Sequence, residues 1–381
     1  MKYLTKYIVL ILLLAVTSCF PQNTSNQFND IDSVINKAIV DEAFPGAVVL
    51  VWKDGKIIFE KPFGHFTYDK TSPEVNINTI YDLASVTKVV ATTTAAMICC
   101  DRKLFSLDDK VVKYIPEFGV NGKENITIKN LMLHNSGLVA WQKFYERNLT
   151  TDEVLKEIYG AELEYKTGEK MVYSDLGIIT LGKIIEKVTG KSLDVFCKDE
   201  IFVPLKMNST FYNPADSLKK FCAPTELDNY WRNRQLQGEV HDETSAMLNG
   251  VAGHAGLFST ANDISKLMAV LMNEGKLNDK QFIQQSTIEY FTKRYSDESS
   301  RAIGWDTKSE TGSSAGNYFS ANSFGHTGYT GTSIWADPGR NLFVVFLTNR
   351  VYPTRENGKL GKMRPELHNT IIKCLEKIDE K

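Results

Sequence analysis

The apolar runs near the start of the chain have the length of β-strands. Residues 47–52 and 56–63 are two such runs, and Asp54-Gly55 lies between them. Asp-Gly between two strand-like runs is a strong signal for a tight hairpin turn. Residues 30–41 precede this hairpin and have the period of a helix. The pattern therefore predicts a helix followed by a β-hairpin.

Strand-like patterns return at the other end of the chain, from about residue 302. The clearest pair covers residues 323–336 and 342–349, which flank the turn signal Asp337-Pro-Gly-Arg-Asn341. Residues 364–378 then have the period of a final helix. Between Ser85 and about Tyr290 the pattern is mostly helical, with long loops.

Strands at both ends with helices between them predict an α/β (α+β) fold, in which both termini build one antiparallel sheet. We expect a sheet lobe from about residues 30–84 and 300–381, with flanking helices. A mostly helical lobe would cover about residues 85–299. The cleft between two lobes is a common location for a binding pocket, and we expect the active site there.

The first residues predict export. Residues 1–6 form a short segment with two lysines, which gives it a positive charge. Residues 7–16 form an apolar run too short to span a bilayer. Val16-Thr-Ser-Cys19 then matches the bacterial lipobox, which predicts a signal peptide at 1–18, a lipid-anchored tether at 19–29 and one domain at 30–381. The membrane would be reached through a lipid on Cys19. An ordinary cleaved signal peptide with a chance cysteine is the alternative, and both readings place the protein outside the cytoplasm.

The composition of the chain bears on its partners, its core and its disulfides. The 381 residues carry a formal net charge of −2, so a nucleic-acid partner is not expected. A hydrophobic fraction of 43% is ample for a large core. Six cysteines are present, and five remain if Cys19 is lipidated. An odd number without metal-site spacing predicts no disulfide framework, and a bond such as Cys197–Cys222 stays open.

Ser85-Val-Thr-Lys88 is the segment that indicates chemistry most directly. A serine at a helix start has the positive end of the helix dipole beneath it, and a lysine three residues later returns to the same face. The amine could then sit against the hydroxyl and activate it as a nucleophile. An ordinary helix start with a solvated lysine is the alternative reading of these residues alone.

Two further segments could contribute to the same site as Ser85 and Lys88. Tyr173-Ser-Asp175 leads into an amphipathic helix, where a tyrosine is either catalytic or simply part of the core. His326-Thr-Gly328 lies on the strand before the C-terminal hairpin, where glycine lets a substrate backbone approach. A glycine-rich bulge with a surface histidine is the alternative there.

A glycine-rich stretch holds His241-Asp-Glu243 and His254. Two histidines and two acids could bind a metal, but the spacing fits no structural zinc pattern. We therefore predict hydrogen-bonded histidines and no metal. The pair Tyr230-Trp231 is either a sugar-binding wall or a packed loop.

Together and in this order, the segments resemble the serine β-lactamase and penicillin-binding-protein superfamily, closest to its class C branch of β-lactamases, D,D-peptidases and esterases. The family motifs S-x-x-K, Y-x-N and K-T-G correspond to Ser85…Lys88, Tyr173-Ser-Asp175 and His326-Thr-Gly328. Asp175 stands where asparagine is usual, and His326 where lysine is usual, which argues against efficient β-lactam hydrolysis. Residues 131–138 resemble a structural loop of the family, and the stretch around His241 and His254 resembles a branch that cleaves muramyl-peptide amides.

The resemblance implies an acyl-enzyme on Ser85, with Lys88 or Tyr173 as the base and no cofactor. The backbone N–H groups of Ser85 and Tyr329 would form the oxyanion hole. The resemblance and its muramyl-peptide branch also imply a set of substrate contacts: Asp175, His326, Thr327, Gly328 and His254. The predicted function is hydrolysis of amide bonds in peptidoglycan-derived peptides. An esterase, a D,D-carboxypeptidase, a weak β-lactamase and a non-catalytic wall-binding lipoprotein are the alternatives.

Overall fold

The computed structural model of the protein describes residues 27–379, so Cys19 and the predicted leader lie outside the described residues. Within this range the α-helices are α1 Asn29–Val40, α2 Thr94–Asp101, α3 Ile128–Met132, α4 Thr151–Gly160, α5 Asp175–Thr189, α6 Leu193–Cys197, α7 Asp216–Lys219, α8 Glu243–Met247, α9 Ala261–Met272, α10 Gln285–Thr292 and α11 Leu360–Asp379. The strands are β1 Gly46–Lys53, β2 Lys56–Gly64, β3 Tyr81–Asp82, β4 Phe211–Tyr212, β5 Leu227–Asp228, β6 Arg234–Gln235, β7 Leu257–Ser259, β8 Lys276–Leu277, β9 Lys280–Gln281, β10 Asp306–Thr307, β11 Phe324–Thr327, β12 Ser333–Asp337 and β13 Leu342–Thr348.

Six strands form one antiparallel sheet in the order β10-β11-β12-β13-β1-β2. β1 from the start of the chain pairs with β13 from the end, with Leu50 opposite Val345. The prediction of an antiparallel sheet built from both termini is therefore confirmed. β1 is apolar from Gly46 to Trp52, because both of its faces are buried over that length.

The two faces of the sheet have separate cores. On one face, Val49 of β1 packs with Ile35 of α1 and Ile371 of α11. On the other face, Leu50 packs with helices of the middle region, including Ile179 of α5 and Leu267 of α9. This alternation follows from the two-residue period of a strand. The C-terminal helix thus covers the side of the sheet that faces away from α5 and α9.

Two strand predictions need correction. The run at 323–336 is two strands, β11 and β12, because the chain turns through residues 328–332 and the strands pair antiparallel. The region predicted as mostly helical also holds short strands, among them β4 and β7 in a small sheet with β3. A strand of two or three residues is too short to show the two-residue period in the sequence. These strands form by pairing with distant segments, so the sequence pattern did not predict them.

The described cysteines, Cys99, Cys100, Cys197, Cys222 and Cys374, are free thiols, so Cys197 and Cys222 are not bonded to each other. Between residues 27 and 379, no helix has both the length and the apolar character of a membrane-spanning segment.

Candidate active site

Ser85 is presented by a strained turn at the end of β3. Ala84 has φ of +46°, a conformation uncommon for a residue with a side chain. The buried Asp82 carboxylate holds this turn, because it accepts the Ala84 N–H at 2.8 Å and the His241 N–H at 2.7 Å. Burial raises the pKa of Asp82 above its ordinary value. A helical turn through Ala84–Val86 then leads into a wider π-helical segment, Lys88–Thr93, and α2.

Lys88 lies beneath Ser85 and is buried. Its Nζ donates to Ser85 Oγ at 2.9 Å and to the His254 carbonyl at 3.0 Å, and it forms an ion pair with Asp175 Oδ1 at 2.7 Å. Burial alone would lower the pKa of Lys88, but the nearby Asp175 and Tyr173 outweigh it and hold the pKa above its ordinary value. The resting lysine is therefore an ammonium ion.

The loop before α5 carries the next two site residues. Ser174 caps the helix by accepting the Gly177 N–H, and its own hydroxyl donates to the Val139 carbonyl at 2.7 Å. The Asp175 N–H donates to the Ala140 carbonyl at 2.8 Å. These bonds fix the backbone that directly follows Tyr173. The centre of the Tyr173 ring lies 4.9 Å from Lys88 Nζ, so tyrosine, lysine and serine meet.

His134 is a site neighbour that the sequence analysis treated only as part of a structural loop. Its Nδ1 accepts the Ser174 N–H at 3.1 Å, and its ring centre lies 4.5 Å from that of Tyr173. Burial, with the charges of Arg301 and Lys88, holds the pKa of His134 well below its ordinary value. A neutral imidazole therefore supports the Tyr173 loop. The resemblance of residues 131–138 to a family loop was the only sequence signal for His134. Its contact with Tyr173 joins residues far apart in the chain, so no local pattern could predict it.

β11 forms the opposite wall with His326 and Thr327. His326 is buried; its Nδ1 bonds the Thr327 carbonyl at 2.8 Å, and Nε2 lies 3.4 Å from Nη1 of Arg301. These partners assign the proton to Nδ1. Burial, Arg301 and Lys88 hold the pKa of His326 well below its ordinary value, so the imidazole is neutral.

Gly328 brings the end of β11 against the turn that carries Ser85. A Cβ atom at Gly328 would lie 2.4 Å from the Leu83 carbonyl oxygen, which already accepts the Thr332 hydroxyl at 2.8 Å. The contact places Tyr329 beside Ser85, and both residues line one cavity. Their backbone N–H groups remain the proposed oxyanion hole.

The histidines and acids of the glycine-rich stretch pair off separately. His254 Nε2 bonds Asp242 at 2.8 Å, and His241 Nε2 bonds Glu226 at 2.9 Å. The His254 side chain is buried, and its carbonyl accepts from Lys88. No cluster of three or more potential metal ligands occurs within residues 27–379.

The cavity has a volume of about 420 Å³, and three arginines that the sequence analysis missed line it: Arg301, Arg350 and Arg364. Arg350 bonds the Tyr329 carbonyl at 2.7 Å, and Arg364 bonds the Gly328 carbonyl at 2.9 Å. Burial lowers the pKa of Arg364 to about 9. No carboxylate in the described part of the chain pairs with any of the three, and Nε of Arg301 and of Arg364 is buried without a hydrogen bond. The cavity is therefore cationic.

Comparison with known proteins identifies the family of the chain. The sequence model of the family described as Beta-lactamase matches residues 31–364. An N-acetylmuramyl-L-alanine amidase of Bacillus subtilis (strain 168) is 34% identical over 366 residues, which cover 86% of this chain and 82% of that protein. A protein named as a D-alanyl-D-alanine carboxypeptidase, from Escherichia coli (strain K12), is 32% identical over 360 residues, or 85% of this chain and 82% of that protein.

A solved structure shares the fold. EstCE1, a hydrolase with promiscuous acyltransferase activity, superposes with a TM-score of 0.74 at 22% identity, covering 91% of this chain and 98% of that chain. The family match spans nearly the whole described chain, and the two relatives exceed 30% identity along most of it. The chain therefore belongs to the β-lactamase family of serine hydrolases, as its three motifs predicted.

Proposed function

We propose that the protein is an exported acyl-hydrolase that cleaves amide bonds of peptidoglycan-derived peptides through an acyl-enzyme on Ser85. The observation that carries the proposal is the 2.9 Å contact between Lys88 Nζ and Ser85 Oγ. The contact lies at a cavity lined by three arginines without carboxylate partners. Guanidinium groups bind carboxylates strongly, and peptidoglycan peptides carry several carboxylates.

Two chemical steps follow from this arrangement. Ser85 Oγ bonds to the carbonyl carbon, the C–N bond breaks, and the amine leaves with the serine proton. Water then bonds to the same carbon, the ester bond to Oγ breaks, and a proton returns to Oγ. An oxyanion hole from the N–H groups of Ser85 and Tyr329 would stabilise the charge in both steps.

The proton of Ser85 has two possible acceptors. Lys88 is the nearer group, but as an ammonium ion it must first lose a proton. Tyr173 lies beside the charged lysine, with its ring centre 4.9 Å from Nζ. We assign Tyr173 as the acceptor and Lys88 as the cation that stabilises it.

The relatives support the substrate class. The Bacillus subtilis relative is named for cleavage between N-acetylmuramic acid and L-alanine, and the Escherichia coli relative for removal of a terminal D-alanine. Both reactions break an amide close to a carboxylate. D,D-carboxypeptidase activity is the second candidate, because a terminal carboxylate would also suit the three arginines. The neutral His326 argues against efficient β-lactam turnover.

Mass spectrometry of products tests the proposal. Wild-type protein and Ser85→Ala are incubated with a mixture of muropeptides, with Ser33→Ala as a matched control on the exposed face of α1. We expect wild type and Ser33→Ala to release the peptide stem from the sugar, and Ser85→Ala to release none. Loss of only a terminal D-alanine would assign the carboxypeptidase. Turnover by Ser85→Ala would contradict the assignment of the nucleophile.

Export and anchoring rest on the lipobox at Cys19, and extracytoplasmic peptidoglycan is consistent with them. We propose that Cys19 is lipidated. Metabolic labelling with an alkyne fatty acid in a bacterial host should mark the wild-type protein and leave Cys19→Ala unmarked. Equal labelling of the two would contradict a lipid at Cys19, and recovery of the protein from the cytoplasm would contradict export.

A further inference from the structure

A second cavity adjoins the catalytic cavity, and Arg301 lines both. This second cavity has a volume of about 390 Å³ and is lined by residues 168–171 and by part of the segment 295–301. Two acidic and two basic side chains are among its lining residues: Glu169, Glu298, Lys170 and Arg301. A concave site with charged groups beside a catalytic cavity is a candidate for binding a further part of the substrate.

Arg301 lies at the junction of the two cavities. Its guanidinium carbon is 4.9 Å from the centre of the Tyr173 ring, and its Nη1 is 3.4 Å from Nε2 of His326. The guanidinium forms no ion pair with any residue in the described part of the chain. It can therefore bind an anionic group of a ligand that passes from one cavity into the other.

The proposed mechanism determines which part of a substrate reaches the second cavity. The serine proton passes to Tyr173 and leaves with the amine, so the leaving amine must lie within hydrogen-bond reach of the Tyr173 hydroxyl. Arg301 lies over that ring, and residues 168–171 precede Tyr173 in the chain. The peptide on the leaving side of the scissile amide therefore extends past Arg301. A few extended residues, at roughly 3.4 Å each, would carry it into the second cavity.

The charged side chains of the second cavity do not neutralise one another. Within residues 27–379 the Glu298 carboxylate has no hydrogen-bond or ion-pair partner, and the Glu169 carboxylate accepts only the backbone N–H of Lys166, at 3.3 Å. Lys170 forms no ion pair in the same range, and its Nζ lies 4.9 Å from the centre of the Tyr165 ring. With Arg301, two unpaired acids and two unpaired bases line one cavity. Such a lining is complementary to a ligand that carries both an ammonium and a carboxylate.

We propose that the second cavity binds a diamino acid residue of the leaving peptide. Its side-chain ammonium would contact Glu169 and Glu298, and its carboxylate would contact Arg301 and Lys170. The aliphatic part of the side chain would pack on the exposed Met171, which also lines the cavity. This inference rests on the proposed amidase function and adds a requirement on the leaving peptide that the scissile bond alone does not impose. A carboxypeptidase, which releases a single D-alanine, would have no leaving residue to place there.

Two substrates that differ by one amino group test the inference: N-acetylmuramyl-L-alanyl-γ-D-glutamyl-L-lysine and the same peptide with L-norleucine in place of lysine. We expect wild type to cleave the lysine peptide with a kcat/KM roughly two- to fivefold higher, the range of a partly exposed charge pair, and this preference should shrink as salt is added. Glu169→Gln combined with Glu298→Gln should remove it. Glu74→Gln combined with Glu310→Gln is the control of equal charge, because both residues are exposed, Glu74 beside β2 and Glu310 in the loop after β10. Equal kcat/KM for the two substrates with wild type would overturn the inference and leave the amidase in place.

A binding measurement separates this inference from the proposed function. Isothermal titration calorimetry is recorded with the full chain carrying Ser85→Ala and the leaving peptides L-alanyl-γ-D-glutamyl-L-lysine and L-alanyl-γ-D-glutamyl-L-norleucine. We expect a Kd roughly two- to fivefold lower for the lysine peptide, a difference that is lost with Glu169→Gln and Glu298→Gln and kept with the control pair. Equal Kd values, or binding of neither peptide, would overturn the second cavity as a diamino acid site. A preference for lysine in binding, without cleavage of either muramyl peptide, would retain the site and refute the amidase.

Discussion

The charge of Lys88 is set by the groups that face it. Asp175 and Tyr173 raise its pKa despite burial, so the lysine is an ammonium ion at neutral pH. The ion pair stabilises the fold below the ordinary lysine pKa near ~10.4, and this contribution is lost as the pH rises through the higher pKa of the folded state. A family asparagine in place of Asp175 would remove the contribution of the Asp175 carboxylate to this field.

Asp175→Asn should therefore lower the pKa of Lys88, because burial would then dominate. If Tyr173 is the base beside a charged lysine, the alkaline limb of the pH profile of kcat/KM moves to lower pH. Steady-state kinetics between pH 5 and 10 measure this limb. A downward shift of the acidic limb, with the alkaline limb unchanged, would assign the base to Lys88.

The neutral charge of His326 determines which side chains its buried position tolerates. His326→Lys restores the family's K-T-G motif but places an ammonium ion in a buried position near Arg301 and Lys88. An uncompensated buried charge costs about 3 kcal/mol of the free energy of unfolding. Denaturant unfolding measures the loss, with His326→Gln as the neutral control expected to stay within about 1 kcal/mol of wild type. Wild-type stability of His326→Lys would contradict the electrostatic reading of this position.

At the scale of elements, the site depends on the contact between the end of β11 and the turn that follows β3. Gly328→Ala would bring a methyl group within 2.4 Å of the Leu83 carbonyl and 2.1 Å of the Thr332 hydroxyl. Either the strand or the turn must move, and a shift of about 1 Å at a catalytic group costs roughly a hundredfold in rate. Steady-state kinetics should show that loss in kcat/KM.

Gly160→Ala is the matched control for this substitution, because a Cβ atom there meets no other atom within 4 Å. We expect it to keep wild-type kcat/KM. Unchanged kinetics for Gly328→Ala would mean that the strand and the turn adjust without disturbing Ser85. The close approach would then have no catalytic role.

At the scale of the whole molecule, the two chain ends form one structural unit. α1 and α11 cover the same face of the sheet, and Lys377 Nζ bonds Asp30 Oδ2 at 2.8 Å. α11 also supplies Arg364, whose guanidinium binds the carbonyls of Gly328 and Thr332 behind the cavity. The helix farthest from Ser85 in sequence therefore supports the wall opposite it.

Deletion of residues 360–381 should prevent folding. It exposes the sheet face covered by Leu367, Ile371, Ile372 and Leu375, and four such side chains contribute roughly 6–12 kcal/mol, comparable with the stability of a typical domain. Circular dichroism and limited proteolysis should show loss of cooperative unfolding. Lys373→Ala, on the exposed side of the same helix, should unfold as wild type does. A cooperatively folded deletion variant would contradict this role of α11.

The local sequence pattern was sufficient to predict the features that depend on residues close together in the chain. The hairpin β1–β2 and the position of Lys88 beneath Ser85 follow from a turn dipeptide and from helical spacing, which act over a few residues. The antiparallel sheet from both termini could also be predicted, because its buried strands are uniformly apolar. The break between β11 and β12 was missed, since Gly328–Thr332 lies inside a strand-like run.

The sequence by itself thus determined the family, the spacing that brings Lys88 against Ser85 and the antiparallel sheet, because each depends on short spacings or long apolar runs. Only the tertiary structure decided that Arg301, Arg350 and Arg364 share one cavity, that the His254 side chain pairs with Asp242, and that Asp82 holds the turn before Ser85. These residues belong to segments far apart in the chain. Burial and pairing with distant groups, rather than any local pattern, set their charge and their place.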